Sequence, residues 1–143
     1  MPRFLIVLAA ALSLFAAMPA RAQDQERDSV FASDQAFHSF VDNHVARRDF
    51  IPLIQKLGGR DEYTAEQLQG LQQQFTSIYP ADFTHRATVR TRLLENGFRE
   101  EIITYWNDLA YVWFYAITHQ RDDGLVVINF ALNSSYEAVA QRF

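Results

Sequence analysis

Between Val30 and Phe143 the apolar positions change their period once, near Pro80. Before it they recur every three to four residues, the spacing of a helix face. After it they alternate, the spacing of a strand. Phe37, Phe40, Val41, His44 and Val45 fall on one helical stripe, with Asp34, His38 and Asp42 along its edge as an expected solvated face. Arg47 to Asp49 interrupts that stripe. Asp49 is then expected to cap a short second helix, "FIPLIQKL", with Pro52 in its first turn and Gly58 at its end. Thr64 and Gln67 have the spacing of a capping box, which starts a third helix with Leu68, Leu71, Phe75 and Ile78 on its apolar face. The glutamines between those positions read as solvated.

The segment "HRATVRTRLLENGFREEIITYW" predicts two strands joined at Asn96-Gly97, two residues that tolerate the positive φ of a tight hairpin turn. A two-residue loop sets Leu94 opposite Arg99, Arg92 opposite Glu101 and Thr91 opposite Ile102. Val89, Leu93, Ile102 and Trp106 then share one face, and Arg90, Arg92 and Glu101 the other. Asn107-Asp108 turns the chain into a third strand, Leu109 to His119, and "RDDG" turns it into a fourth, "LVVINFAL". An even-length loop places Trp113, Tyr115 and Ile117 on one face with Val126, Ile128, Phe130 and Leu132. That face is the bulkier, and it is expected beneath the helices. Ser134 and Glu137 have capping-box spacing for a short closing helix. The expected fold is α+β, with N-terminal helices on one face of a four-stranded antiparallel meander.

The first residues read as an export signal. Arg3 precedes the apolar run Phe4 to Ala17, Pro19 breaks it, and Ala20-Arg21-Ala22 supplies small residues for cleavage after Ala22. The expected organisation is a signal over 1–22, a disordered lead over 23–29 and a single domain over 30–143. The apolar run is shorter than the ~20 residues of a membrane span, so no span is expected once it is cleaved. The expected address is periplasmic or secreted. The chain has no cysteine, so its stability must come from its core. The net charge of −4 becomes −6 once Arg3 and Arg21 leave with the signal. That balance argues against nucleic acid or an anionic membrane as partner.

Six of the eleven residues from Tyr105 to Tyr115 are aromatic, and both tryptophans lie among them. Such rings suit amphipathic pockets and interfaces. The candidate ligand-binding residues are Trp113, Tyr115, Tyr111 and Phe130 on the sheet, with His44 opposite them on the first helix. No catalytic set, metal site or cofactor motif is read. His38 and His44 are six apart and point to different sides of a helix, which is not a metal-ligand spacing. Asp108 reads as a turn residue and His119 as a rim residue at the strand end.

The ending "VVINFALNSSYEAV" runs apolar-x-apolar-x-Phe-x-apolar-Asn and then into a short helix. With three helices ahead of an aromatic meander, it resembles the nuclear transport factor 2-like and cystatin-like cone folds. The resemblance implies a pocket between sheet and helices, and a family that includes isomerases and dehydratases as well as non-catalytic binding modules. The leading expectation is an exported, non-catalytic module that holds a small apolar ligand or a protein partner on an aromatic sheet face. Two alternatives stay open: a small lyase or isomerase with a buried acid–base pair, and a structural module that forms a homodimer.

Overall fold

A computed structural model describes residues 27–143, and the expected signal and the first residues of the expected lead lie outside them. The first strand, β1, is Val30–Phe31, two residues too short to show a period. Helix α1 follows over Asp34–Ala46, capped by the Ser33 hydroxyl, which accepts from the Ala36 N–H. Helix α2 spans Phe50–Ile54 and runs into a wide turn over Gln55–Gly59, where Gly58 takes φ 114°. Asp49 makes no cap bond to α2. Its carboxylate meets the His44 ring instead, and the Phe50 N–H donates to the side chain of Gln72. One of the glutamines read as solvated is therefore the real cap. Helix α3, Ala65–Ile78, opens with the expected Thr64–Gln67 capping box.

The four expected strands are β2 (His85–Leu93), β3 (Phe98–Asn107), β4 (Ala110–Arg121) and β5 (Gly124–Asn133), and Tyr136–Ala140 forms the closing helix α4. The fold is α+β, as the change of period indicates. The sheet has five strands rather than four, because β1 pairs with β5, in the order β1-β5-β4-β3-β2. All pairings are antiparallel. The end of the expected lead is tied down. The Ser29 N–H donates to the Lys56 carbonyl at 2.7 Å, and Asp28 pairs with Arg60.

Three local features shift the register by one residue. The β2–β3 loop is Glu95–Gly97, three residues long, with Asn96 at φ 58° and Gly97 at φ 81°. Leu93 therefore faces Arg99, Arg92 faces Glu100 and Thr91 faces Glu101. A side chain at Gly97 would meet the Gln120 carbonyl at 2.7 Å, so the loop needs glycine for space as well as for φ. The second is a bulge in β2, where Thr88 faces Ile103 but Arg90 faces Ile102, which leaves Val89 as the extra residue. The third feature is a bulge in β5. Thr118 faces Val127 but Ile117 faces Asn129, which leaves Ile128 as the extra residue. Past it, Phe130 and Leu132 turn to the opposite face from the one their parity predicts.

The three helices cover the face carrying Ile103, Tyr105, Val112, Phe114 and Ala116, not the bulkier face of Trp113 and Tyr115. The helices bring the bulk themselves, through Phe37, Val41, Val45, Phe50, Leu53 and Leu57, all buried. Close packing favours a sheet face with smaller residues, such as Ala116 and Val112, opposite those rings. Replacing fully buried Phe37 by Ala is expected to cost about 3–5 kcal/mol in urea unfolding. A loss below about 1 kcal/mol would show that this contact is not the centre of the core.

Candidate functional site

The outer face of the sheet, turned away from α1–α3, divides into a closed half and an open half. In the closed half, Ile102, Tyr115 and Val139 are buried together, with Phe143 and Ile117 packed against them. The Tyr115 hydroxyl donates to Glu100 at 2.9 Å, and Glu100 also takes the Arg92 guanidinium. Arg90 and Arg92 both lie over the Phe143 ring. Burial, and then the bond to Glu100, push the Tyr115 phenol up to about 12.

In the open half the rings form a ladder that follows the strand register. His85 stacks on Trp106 at 5.1 Å, Trp106 on Tyr111 at 5.7 Å and Tyr111 on Trp113 at 6.0 Å, each pair within about 16° of parallel. Tyr136 of α4 closes the row edge-on against Trp113 at 4.9 Å. The first two contacts are direct cross-strand pairs, His85 with Trp106 and Trp106 with Tyr111. Tyr111 and Tyr136 are exposed, and Leu109 at the adjoining turn is 85% exposed.

The expected site residues are therefore not brought together. Tyr111 and Trp113 share the ladder. Tyr115 lies on the same face but is buried and bonded to Glu100. Phe130 is on the helix side, within reach of Phe114. His44 sits on α1 with Phe40 at 4.3 Å and Asp49 at 3.2 Å. His119 stacks flat on Phe98 at the strand end. Trp106, His85 and Tyr136 belong to the ladder and were not anticipated there. Trp106 and His85 follow from the register once the three-residue loop and the bulge at Val89 are both known.

Beside β5 runs a cleft of about 500 Å³, walled by Leu53, Leu57 and Phe75 on the helix side and by Val139 and Arg142 on the α4 side. Phe130 and Leu132 line it.

Three further carboxylates fasten α1 to the sheet. Glu101 faces the helices, buried, and meets His38 Nε2 at 2.8 Å, while Asp34 approaches His38 Nδ1 at 3.3 Å. Arg99 pairs with Asp34 and stands 3.5 Å from Glu101. Asp42 accepts from the Tyr105 hydroxyl at 2.5 Å and from Arg86 at 3.2 Å. Burial and then this carboxylate raise the Tyr105 phenol far above its ordinary value. The helix edge read as solvated is thus the polar seam between α1 and the sheet. Both tyrosine–carboxylate pairs have the spacing that acid–base chemistry asks for. Each carboxylate is also held by an arginine, and neither pair borders the cleft beside β5.

Among the described residues, no three His, Cys, Asp or Glu side chains are grouped to hold a metal, and no helix is long and apolar enough to cross a membrane. Comparison of the chain with protein-family models, with curated proteins and with solved structures finds no match.

The Glu101 bond raises the affinity of His38 for its proton above the ordinary value of 6.5, against an opposing effect of burial. A raised folded value makes this contribution to stability full below about pH 6.5, and it is lost as pH rises through the folded value. The wild-type melting temperature should therefore fall relative to that of His38→Gln as pH rises from 6 towards 9. A difference between the two proteins that does not change with pH would mean that the imidazole is neutral in the fold.

Proposed function

We propose that this chain is an exported binding module, and that the open half of its outer sheet face is the surface that meets a partner protein. The observation that carries the reading is the ladder from His85 through Trp106, Tyr111 and Trp113 to Tyr136, left uncovered by the helix layer. Tryptophan and tyrosine dominate the energetics of protein interfaces, because each buries a large rigid surface at low entropic cost. A small apolar ligand asks for concavity, and the ladder is a row of rings along a sheet face. The order of elements, helices on one face of a meander closed by a short helix, supports the cone-fold resemblance. The apolar run at Phe4 to Ala17 followed by Ala20-Arg21-Ala22 supports export.

The enzyme alternative draws on Tyr105–Asp42 and Tyr115–Glu100, each of which sits in a packed, arginine-paired setting. The ladder is free of such closure, so binding is the better-supported reading.

The test is site-directed photo-crosslinking in the producing cell, with a benzophenone amino acid at Tyr111 and, as control, at Gln120. A discrete adduct from position 111, absent from position 120 and lost when Trp106 and Trp113 are both replaced by Ser in a protein that still melts cooperatively, is the expected result. The same adducts from both positions, or none from 111, would remove the ladder as the contact surface. An adduct of twice the chain mass, with a mass by light scattering that rises with concentration, would identify the partner as a second copy.

A further inference from the structure

The outer edge of β5 is paired for only part of its length. β1 covers Leu125 and Val126, and the Ser29 carbonyl takes the Val127 N–H at 2.8 Å. There the chain leaves the strand, because Ser29 adopts φ 66° and is pulled towards the wide turn by its bonds to Lys56 and Leu57. From Ile128 to Asn133 no described strand lies against that edge. Six residues of open edge span ~20 Å, and alternate residues aim a backbone N–H and C=O outward. Such an edge is a template for strand pairing, and folded proteins commonly blunt or cover it. Here it is neither charged nor covered. Ile128, Asn129, Phe130, Ala131, Leu132 and Asn133 all line the 500 Å³ cleft, with the helix layer as one wall and α4 as the other.

We propose that this cleft is a strand-addition slot that takes an extended peptide of a partner protein along β5. The added strand carries apolar side chains at alternate positions and one acidic residue. Period-two alternation explains the fit. Side chains on one face of an added strand enter the wall of Leu57 and Phe75. Those on the other meet Val139 and Arg142. Arg142 is exposed, and among the described residues its guanidinium has no carboxylate partner. It is the cation in the lining, and Glu62 on the helix-side wall disfavours a second acidic residue. A second copy fits this edge poorly. Pairing β5 with its own copy would drive each molecule's two walls into the other's, whereas a lone strand brings no flanking layers.

The test uses a library of acetylated, amidated heptapeptides that alternate Val, Leu or Ile with Thr and carry one Glu, titrated against the purified protein by fluorescence anisotropy. The best binder should protect the amides of β5 between Ile128 and Asn133 in hydrogen-exchange NMR. Methylating its alternate backbone nitrogens should abolish binding in one frame and leave it within about 3-fold in the other, because only one set of amides faces β5. Replacing its Glu with Lys should weaken binding by roughly 2- to 5-fold, and Arg142→Glu in the protein should reverse that preference. A library without binders overturns the proposal, as does binding equally sensitive to methylation in both frames. Saturation of the cleft by palmitate without peptide binding would assign it to a small apolar ligand. Protection of β5 that rises with protein concentration alone would assign it to a second copy. None of these outcomes bears on crosslinking from Tyr111, so the ladder and the slot stand or fall separately.

Discussion

The seating of Phe37, Val41 and Val45 on Val112, Phe114 and Ala116 decides the rest of the molecule. Those six side chains are fully buried, and a strand has only two faces. Once Phe114 points to the helices, Trp113 and Tyr115 must point away from them. Once Ile103 and Tyr105 join Phe114, Glu100 and Ile102 must face outward. The two adjacent glutamates of β3 are thereby sent to opposite sides of the sheet. Glu101 goes to the α1 seam, where His38 and Arg99 meet it, and Glu100 to the outer cluster of Arg92 and Tyr115. A buried carboxylate is costly unless it is paired and hydrogen-bonded, and each of these is.

Within that frame the polar groups give the helix layer its position and the apolar groups its energy. Asp34, His38 and Asp42 lie one helical turn apart on α1, and together they reach β2 and β3 through Arg86, Arg99, Glu101 and Tyr105. A hydrophobic stripe alone tolerates sliding by a turn. A row of directed bonds at one edge does not, so this seam fixes the register of helix on sheet.

Much of this was legible in the chain. The change of period at Pro80 and the capping box at Thr64 follow from local chemistry, and local chemistry is what a sequence shows best. The closing helix is where it was expected, but not through a Ser134–Glu137 box, since its N-cap is Ser135 and no side chain caps it. The errors of register are all of one kind. Asn96-Gly97 signals a hairpin, yet Glu95 joins the loop, and that single residue moves Glu101 from one face to the other. The bulge at Ile128 moves Phe130 and Leu132 in the same way. Period two turns an error of one residue into a complete reversal. The choice of face failed for a different reason, because bulk was taken as the mark of the interior. The helices already carry the large rings, so the smaller face fits beneath them. Gln72 as cap of α2 was out of reach, since it acts across 22 residues of chain.

The tryptophans carry a spectroscopic consequence. Both belong to the ladder, and the helix-side core holds none. Intrinsic emission excited in the indole band therefore reports the outer sheet surface and is nearly blind to the packing around Phe37 and Phe114. An emission spectrum can shift while the interior is intact, and it can hold steady while the helix layer loosens. For this molecule, ultraviolet fluorescence is a gauge of what covers one face, and near-ultraviolet dichroism of the buried tyrosines is the gauge of the fold.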